Sequence, residues 1–353
     1  MPLIHYAFVL VIPALVTLGL LWGGVWTWAT PVFVYLLVPL IEFKWQGSKE
    51  NLPVATEPAR AKSFIANGLL FSLLPIQLFL LTLLFWRQET FSVLELLGAT
   101  IGVGTMVGAI AINGAHELGH HASRSAKLQS RLMLALSLYP HFNTEHNKGH
   151  HIRMATPEDP ATAPAGQWVY AFWVQSIWGG FKSAWALERK RLNRIKQNHW
   201  SVRNGMLQDG LAVLSIMAIT GWLAGAQAVA LLMVTSVIGI LLLETVNYLQ
   251  HYGLQRRPHD KGGYERVGPA HSWTSNRPLS RTLLFDLPRH ADHHMDDRRH
   301  YTSLRHLEES PVLPQGYPAM ILMALVPPLF LSVMDRQLAD FQGRKTQPST
   351  LSS

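Results

Sequence analysis

Long apolar segments alternate with polar, histidine-rich segments, and this alternation constrains how the 353-residue chain folds. Six apolar stretches approach the ~20 residues that cross a bilayer as a helix, and they lie at 3–26, 29–43, 64–86, 91–115, 209–226 and 227–249. The stretch 29–43 is short and needs flanking aromatic residues or a locally thinned bilayer. The pattern predicts an all-α fold: an integral membrane bundle of about six transmembrane helices with a cytoplasmic, histidine-rich helical cap, in a single domain over 1–341.

Lysine and arginine are distributed unevenly between the connecting segments. The segments 23–30 and 221–227 contain neither residue, whereas 43–62, 120–208 and 252–315 contain many. Because basic loops favour the cytoplasmic side of a membrane, six spans with both termini in the cytoplasm place every basic segment on one side. This topology predicts that 116–208 and 250–341 are cytoplasmic.

The two ends of the chain carry weaker signals. No basic region precedes the first apolar stretch and no clear cleavage site follows it, so we expect no cleaved signal peptide. The apolar stretch 320–334 contains Pro327 and Pro328, which break a helix, and we expect this segment to pack on the membrane surface. The polar tail 342–353 is predicted to be disordered.

Charge and cysteine content exclude several classes of protein. The net charge of +8 does not indicate nucleic-acid binding, because the basic residues follow the membrane pattern and no nucleic-acid motif occurs. Anionic lipid headgroups or an acidic soluble protein fit that charge better. The chain has no cysteine, which rules out a thiol nucleophile and a fused rubredoxin-type or ferredoxin-type iron site. Electrons for any redox reaction must therefore come from a separate protein.

Nine histidines in four short clusters point to a metal centre. They are His116, His120, His146, His150, His151, His251, His290, His293 and His294. Spacings of three or four residues place side chains on one face of a helix, as for 116/120, 146/150 and 290/293/294. Imidazole binds first-row transition metals well, and nine ligands exceed the about four to six that one such ion takes. Two ions are the economical interpretation, although a lone histidine is more often a surface or hydrogen-bonded residue.

Other polar residues near the clusters leave several alternatives open. The segment His116–His120 resembles the HExxH motif, with Glu117 as base, of a zinc protease, but that function leaves the other clusters unexplained. His121 points about 100° away from His120 on a helix and is not expected to bind the same metal. His141 fits packing or hydrogen bonding better than ligation. Residues expected to orient the ligands are Glu117, Glu145, Asn247, Gln250, His271 and Asp292, whereas His5, His199, His259, His300 and His306 have no comparable setting.

The four clusters together resemble those of the integral-membrane non-haem di-iron family, the membrane fatty acid desaturase superfamily. The match is closest to its alkane 1-monooxygenase branch, which includes the xylene-type monooxygenases: the clusters are similar to the HELGHK, EHNxGHH, NYxEHYG and LQRHSDHH boxes. The flanking segments 155–162 and 271–276 also resemble family signatures. The resemblance covers about 90–335. Four residues depart from it, His121 for Lys, Gln250 for Glu, Pro288 for Gln and Ala291 for Ser.

The resemblance implies the ligands, the cofactor and the reaction. The nine histidines would hold two iron ions, and O2 would hydroxylate the terminal methyl group of an apolar hydrocarbon to give a primary alcohol. Electrons would come from a separate rubredoxin-type donor and its NAD(P)H-dependent reductase, and the enzyme would lie in a bacterial inner membrane with its site facing the cytoplasm. Because Gln250 departs from the alkane pattern, aryl-methyl compounds remain an alternative class of substrate. A fatty acyl desaturase and a non-catalytic membrane metal-binding protein remain as alternatives.

Small residues are concentrated in the fourth apolar stretch. The segment 99–113 contains Gly102, Gly104, Gly108 and Ala111. Close helix–helix packing requires such residues, and so does the wall of a narrow substrate channel. We favour packing and keep the channel as the alternative.

Overall fold

A computed structural model describes residues 2–346 of the chain, and these residues form helices and loops. The helices are α1 (Leu3–Trp22), α2 (Gly24–Glu42), α3 (Glu57–Ala61), α4 (Phe64–Thr90), α5 (Val93–His120), α6 (Arg124–Leu136), α7 (142–153), α8 (Val169–Arg194), α9 (Gly205–His251), α10 (Pro278–Leu283), α11 (His290–Met295), α12 (Tyr317–Ala324) and α13 (Pro327–Thr346). Two isolated bridges, Pro258 with Tyr264 and Thr274 with Val312, are the β-type pairings found among the described residues. The predicted all-α class is confirmed.

Five helices of the described chain are long and apolar enough to cross a membrane: α1, α2, α4, α5 and α9. Their bounds follow the predicted stretches, and α9 covers the last two stretches as two helical segments that meet at Gly225. The segments before and after Gly225 contain 20 and 26 residues, so at 1.5 Å per residue each reaches the about 30 Å apolar thickness of a bilayer. Gly225, with φ of 83°, interrupts α9 where the sequence predicts a turn between two spans. Six crossings remain a prediction.

The small residues of α5 bring its backbone against that of α9. A Cβ atom built on Gly108 would lie 2.6 Å from the carbonyl oxygen of Gly239, and one built on Gly239 would lie 2.6 Å from Val107 Cγ1. A Cβ on Gly104 would meet Ile238 at the same distance. These contacts support the packing interpretation of the segment 99–113, since larger side chains would force the two helices apart.

The C-terminal part of the described chain forms two helices. The break between α12 and α13 falls directly before Pro327 and Pro328, as predicted. Met320, Phe330 and Met334 are buried against the protein, whereas Val326 and Leu329 are about half exposed. Contact of that exposed apolar face with lipid remains a prediction.

Helix α13 continues to Thr346, so the predicted disordered tail does not begin at Gln342: residues 342–346 are helical. The rest of that tail, 347–353, lies outside the described residues.

Contacts with the first two membrane helices hold the segment that leads into the fourth histidine cluster. Glu42, at the end of α2, accepts hydrogen bonds from the Ser280 amide and hydroxyl groups at the start of α10. The Tyr6 hydroxyl of α1 donates to Asp286, which also forms a buried ion pair with Arg281 at 2.6 Å. Asp286 has φ of 55°, a conformation that a non-glycine residue keeps only when its surroundings hold it. The N-terminal helices therefore help to fix the position of α11.

Candidate metal centre

The nine predicted histidines converge in the folded chain as two adjacent groups. The first group comprises His116, His120, His146, His151 and His293; the second comprises His150, His251, His290 and His294. Within each group, one potential ligand atom per residue lies within 4.8 Å of all the others. Every member is buried except His120 and His151, which are partly exposed. Five ligands in one group and four in the other match the capacity of two metal ions.

Nε2 atoms face one another within the first group. His116 Nε2 lies 3.1 Å from His293 Nε2 and 3.3 Å from His120 Nε2. His151 Nε2 lies 2.9 Å from His146 Nε2. The predicted shared face of His116 and His120, one turn apart on α5, is therefore present.

The second group has the same arrangement. His290 Nε2 lies 2.9 Å from His294 Nε2 and 3.3 Å from His251 Nε2. His150 belongs to this group, and its buried Nε2 atom has no hydrogen-bond partner among the described residues. An unpartnered buried nitrogen directed at three other imidazoles is what a metal ligand looks like without its ion.

Local backbone geometry explains how the second cluster divides between the two groups. Residues His146–His150 form a π-helical turn within α7. In a π-helix the hydrogen bonds join residues five apart, so His146 and His151 share a face and belong to the first group. The sequence prediction paired His146 with His150 on an α-helical spacing. That pairing is wrong, since His150 faces the second group.

Helix α11 contributes ligands to both groups. His290 and His294 are four residues apart, which places them about 40° from each other around the helix, and both belong to the second group. His293 is rotated about 100° from His294 and belongs to the first. The three lie within an arc of about 100° on one side of α11, and this side faces both groups, so α11 joins them.

Burial favours the neutral form of five of these imidazoles. Desolvation, together with the neighbouring imidazoles, lowers the pKa of His146, His151, His290, His293 and His294 well below the usual value for histidine. Neutral imidazole is the form that binds a metal. Ligand atoms at 2.0–2.1 Å from an ion are separated by about 3 Å in tetrahedral or octahedral geometry. The observed Nε2 separations and the all-nitrogen donor set therefore fit first-row metal ions.

Asp159 is a site residue that the sequence analysis did not single out. Its fully buried carboxylate accepts hydrogen bonds from His150 Nδ1 at 2.9 Å, from the Thr162 hydroxyl at 2.7 Å and from the Ala161 amide at 3.2 Å. Burial alone would raise the pKa of this carboxyl group, but the contacts with His150 and Thr162 hold it below its ordinary value. The carboxylate fixes the proton of His150 on Nδ1 and leaves Nε2 free to bind a metal. The only indication of Asp159 in the sequence analysis was that it lies in the segment 155–162, which resembles a family signature.

Glu244 was also missed, although it is an acidic residue inside a predicted span. It is buried, and its carboxylate accepts hydrogen bonds from Tyr139 at 2.8 Å, Asn247 at 3.2 Å and Ser176. Ionisable residues in membrane segments are rare and usually mark a functional site. The position of Glu244 inside a predicted span could therefore have identified it as a candidate site residue. Together with His146 and His150, these residues line a small cavity beside the metal centre.

The six residues predicted to orient the ligands have varied contacts. The His271 carbonyl oxygen lies 3.4 Å from His251 Nδ1. Asn247 contacts Glu244, and Glu145 forms an ion pair with Arg153 at 2.7 Å.

Three of these candidates form their hydrogen bonds or ion pairs with residues other than the nine histidines. Gln250 donates to the Tyr317 hydroxyl at 3.0 Å, so its amide bonds within the helix packing. Asp292 forms ion pairs with Arg299 at 3.0 Å and with Arg305 at 3.1 Å. Glu117 accepts a hydrogen bond from the Tyr301 amide at 3.1 Å.

The remaining histidines lie outside the two groups. His141 packs edge-on against Tyr139 and Phe181. The His271 side chain forms an ion pair with Glu265 at 3.1 Å. His121 and His300 lie close to Glu117 as a third set of potential ligands, which the sequence analysis did not predict.

An apolar cavity of about 40 Å³ lies among residues of α1, α2, α5, α9, α10 and α12. Its wall includes Gly108 and Ala109 of α5, so the small-residue segment lines a cavity as well as forming a packing surface. The wall also contains Asn113, Val246 and Leu287, which are three to five residues from His116, His251 and His290, respectively. The other lining residues are Ile12, Val34, Tyr35, Leu242, Leu243, Ser280, Leu283, Leu284, Tyr317, Pro318 and Ile321.

Five helices apolar enough to cross a membrane and nine histidines in adjacent groups of five and four define the chain as a helical membrane protein with histidine groups that could hold metal ions. The family model described as fatty acid desaturase matches residues 91–323, which include all nine histidines. The chain belongs to this family, and within it to the alkane 1-monooxygenase branch.

Similarity to individual relatives supports the assignment to the alkane 1-monooxygenase branch. The chain is 37% identical over 311 residues to an alkane 1-monooxygenase of Ectopseudomonas oleovorans, covering 88% of this chain and 77% of the relative. It is 36% identical over 320 residues to alkane 1-monooxygenase 1 of Alcanivorax borkumensis, covering 90% and 79%. The xylene/toluene monooxygenase hydroxylase component of Pseudomonas putida is 25% identical over 355 residues, covering 99% and 92%.

Proposed function

We propose that the protein hydroxylates the terminal methyl group of an alkane or alkyl chain at a centre of two iron ions. The observation that carries the proposal is the division of nine histidines into groups of five and four beside an apolar cavity, in a chain of the alkane 1-monooxygenase branch. The reaction consumes RH, O2, two electrons and two protons, and it produces ROH and water. Bound iron supplies the reduction of O2 and the splitting of its bond.

The side chains of this protein bind and orient the substrate. The cavity wall is apolar, and burial of the histidines excludes bulk water from the reacting methyl group. Its wall residues Asn113, Val246 and Leu287 lie within five residues of three ligands, so an extended chain in the cavity would present its end to the metal centre. Asp159 keeps the proton of His150 on Nδ1.

We infer that a soluble iron–sulfur protein of the rubredoxin type delivers the electrons, with its own NAD(P)H-dependent reductase. The chain contains no cysteine for an iron–sulfur centre of its own. The end of α8 exposes Arg189, Lys190 and Arg194, and such a basic surface suits an acidic donor. On the proposed topology this surface and the metal centre face the cytoplasm, with the protein in the inner membrane of a bacterium.

Aryl-methyl groups are a second candidate class of substrate. The similarity to the xylene/toluene monooxygenase component favours this class. The alkane 1-monooxygenases at 36–37% identity favour the alkyl substrate.

The test is turnover by purified, iron-loaded protein with rubredoxin, its reductase and NADH under ¹⁸O2. Octane, hexadecane, xylene and a fatty acyl chain are compared, with His294→Ala as the inactive control. The proposal expects 1-octanol that carries one ¹⁸O atom. An unsaturated acyl product without ¹⁸O would indicate a desaturase instead. Metal binding without O2 consumption, with every substrate and donor present, would indicate a non-catalytic metal-binding protein.

A further inference from the structure

A third set of potential ligands lies at the end of α5, outside the two histidine groups. It consists of Glu117 and His121, which follow His116 and His120, and of His300, which lies in the loop after α11. One potential ligand atom from each residue lies within 4.8 Å of the other two. We call these three residues the α5-end cluster.

The Glu117 carboxylate lacks a strong cationic partner for a group so well buried. Its side chain is 9% exposed, it accepts a hydrogen bond from the Tyr301 amide at 3.1 Å, and His121 Nε2 lies 4.0 Å away. Burying a carboxylate is unfavourable unless a cation or several hydrogen bonds compensate for its lost hydration. A bound divalent cation would provide that compensation.

His300 supplies an independent observation that points to a ligand. The residue is 7% exposed, and its Nε2 atom has no hydrogen-bond partner among the described residues. Its Nδ1 atom lies 2.8 Å from the Thr302 hydroxyl, which can accept the Nδ1 proton when Nε2 binds an ion. When Nδ1 carries the proton, it can no longer accept the hydrogen bond from the Thr302 amide, which is 3.3 Å long.

We propose that the α5-end cluster binds a third divalent ion of the zinc type, separate from the two irons. Two imidazole nitrogens and one carboxylate oxygen form a donor set that zinc accepts, with water as the fourth ligand. The His121 side chain is 21% exposed, which leaves that position open to water. The ion connects the end of α5 to the 300–303 segment and thereby supports the position of His120.

The experiment titrates iron-loaded protein in lipid nanodiscs with Zn²⁺ by calorimetry. Zinc and iron are then counted by elemental mass spectrometry after desalting. We expect one zinc per chain in addition to the irons, with a dissociation constant below about 10 μM. This readout does not depend on turnover, so it distinguishes failure of the third site from failure of the proposed hydroxylation.

Two variants and a control assign the zinc to this cluster. His300→Gln and His121→Lys should each weaken zinc binding about tenfold or more. The Lys ammonium can pair with Glu117 and replace the charge of the ion, so His121→Lys should retain its fold and its iron. The control His259→Ala removes an exposed imidazole elsewhere and should bind zinc like the unsubstituted protein.

Three results would overturn the proposal. The first is the absence of zinc binding to the iron-loaded protein. The second is a loss of iron that matches the zinc gained, because the zinc would then occupy the histidine groups. The third is unchanged zinc affinity in both His300→Gln and His121→Lys.

Discussion

Replacing Asp159 by asparagine tests how the second histidine group is held. The substitution keeps the shape of the side chain and removes its charge. One oxygen of Asp159 accepts both His150 Nδ1 and the Thr162 hydroxyl, and the other accepts the Ala161 amide. The amide oxygen of asparagine can keep the first two contacts, but its NH2 group would then face the Ala161 N–H and lose the third.

The expected cost has two parts. Loss of the hydrogen bond from Ala161 removes about 1 kcal/mol from the free energy of unfolding. A neutral amide also makes His150 a weaker ligand, because the carboxylate stabilises the charge that the imidazole donates to a metal. Removing such a partner typically weakens metal binding about 10- to 100-fold, which is about 1.4–2.7 kcal/mol. The Asp159→Asn protein should therefore fold and retain the iron of the first group while losing iron from the second.

Iron content after dialysis against a graded series of chelator concentrations measures this effect. The matched control is Asp209→Asn, which neutralises a buried carboxylate that pairs with Arg131 at 2.7 Å and has no contact with the nine histidines. The control should hold iron like the unsubstituted protein. If Asp159→Asn also retains both irons at every chelator concentration, the role assigned to the Asp159–His150 contact is wrong.

Four further substitutions test other parts of the structure. His151→Ala and His294→Ala, one from each group, should abolish octane hydroxylation with normal yield in the membrane fraction, and residual turnover in either would remove that residue from the ligand set. Gly239→Val places a side chain against Val107, where a Cβ atom alone would lie 2.6 Å from Val107 Cγ1. We expect Tm to fall by several degrees. An unchanged Tm would contradict the close packing of α5 against α9. Leu243→Phe enlarges a cavity-wall residue about 12 Å along α9 from His251, so the hexadecane-to-octane turnover ratio should fall, and an unchanged ratio would place the substrate elsewhere.

Local spacing made the ligands recognisable in the sequence, and it worked where the backbone is a regular α-helix. His116 and His120 share a face of α5 as predicted, because helical geometry alone determines that relation. The same argument failed at His146 and His150, where a π-helical turn changes which residues align. The amino-acid spacing does not distinguish an α-helical turn from a π-helical turn.

Contacts between distant segments explain the other differences. Glu244 meets Tyr139 and Ser176 only after α9 packs against α8 and the loop before α7. Asp292 was expected to orient a ligand because it lies between histidines, yet its ion pairs are with Arg299 and Arg305. Sequence proximity placed such residues near the metal centre but did not determine which partner each one contacts.

The metal content of active protein tests the central claim most directly. We predict two irons per chain in ⁵⁷Fe-enriched protein, with two Mössbauer signals of equal area because the groups of five and four ligands differ. Substitution of His293 should diminish one signal and substitution of His251 the other. Active protein that contains one zinc and no iron would contradict the account.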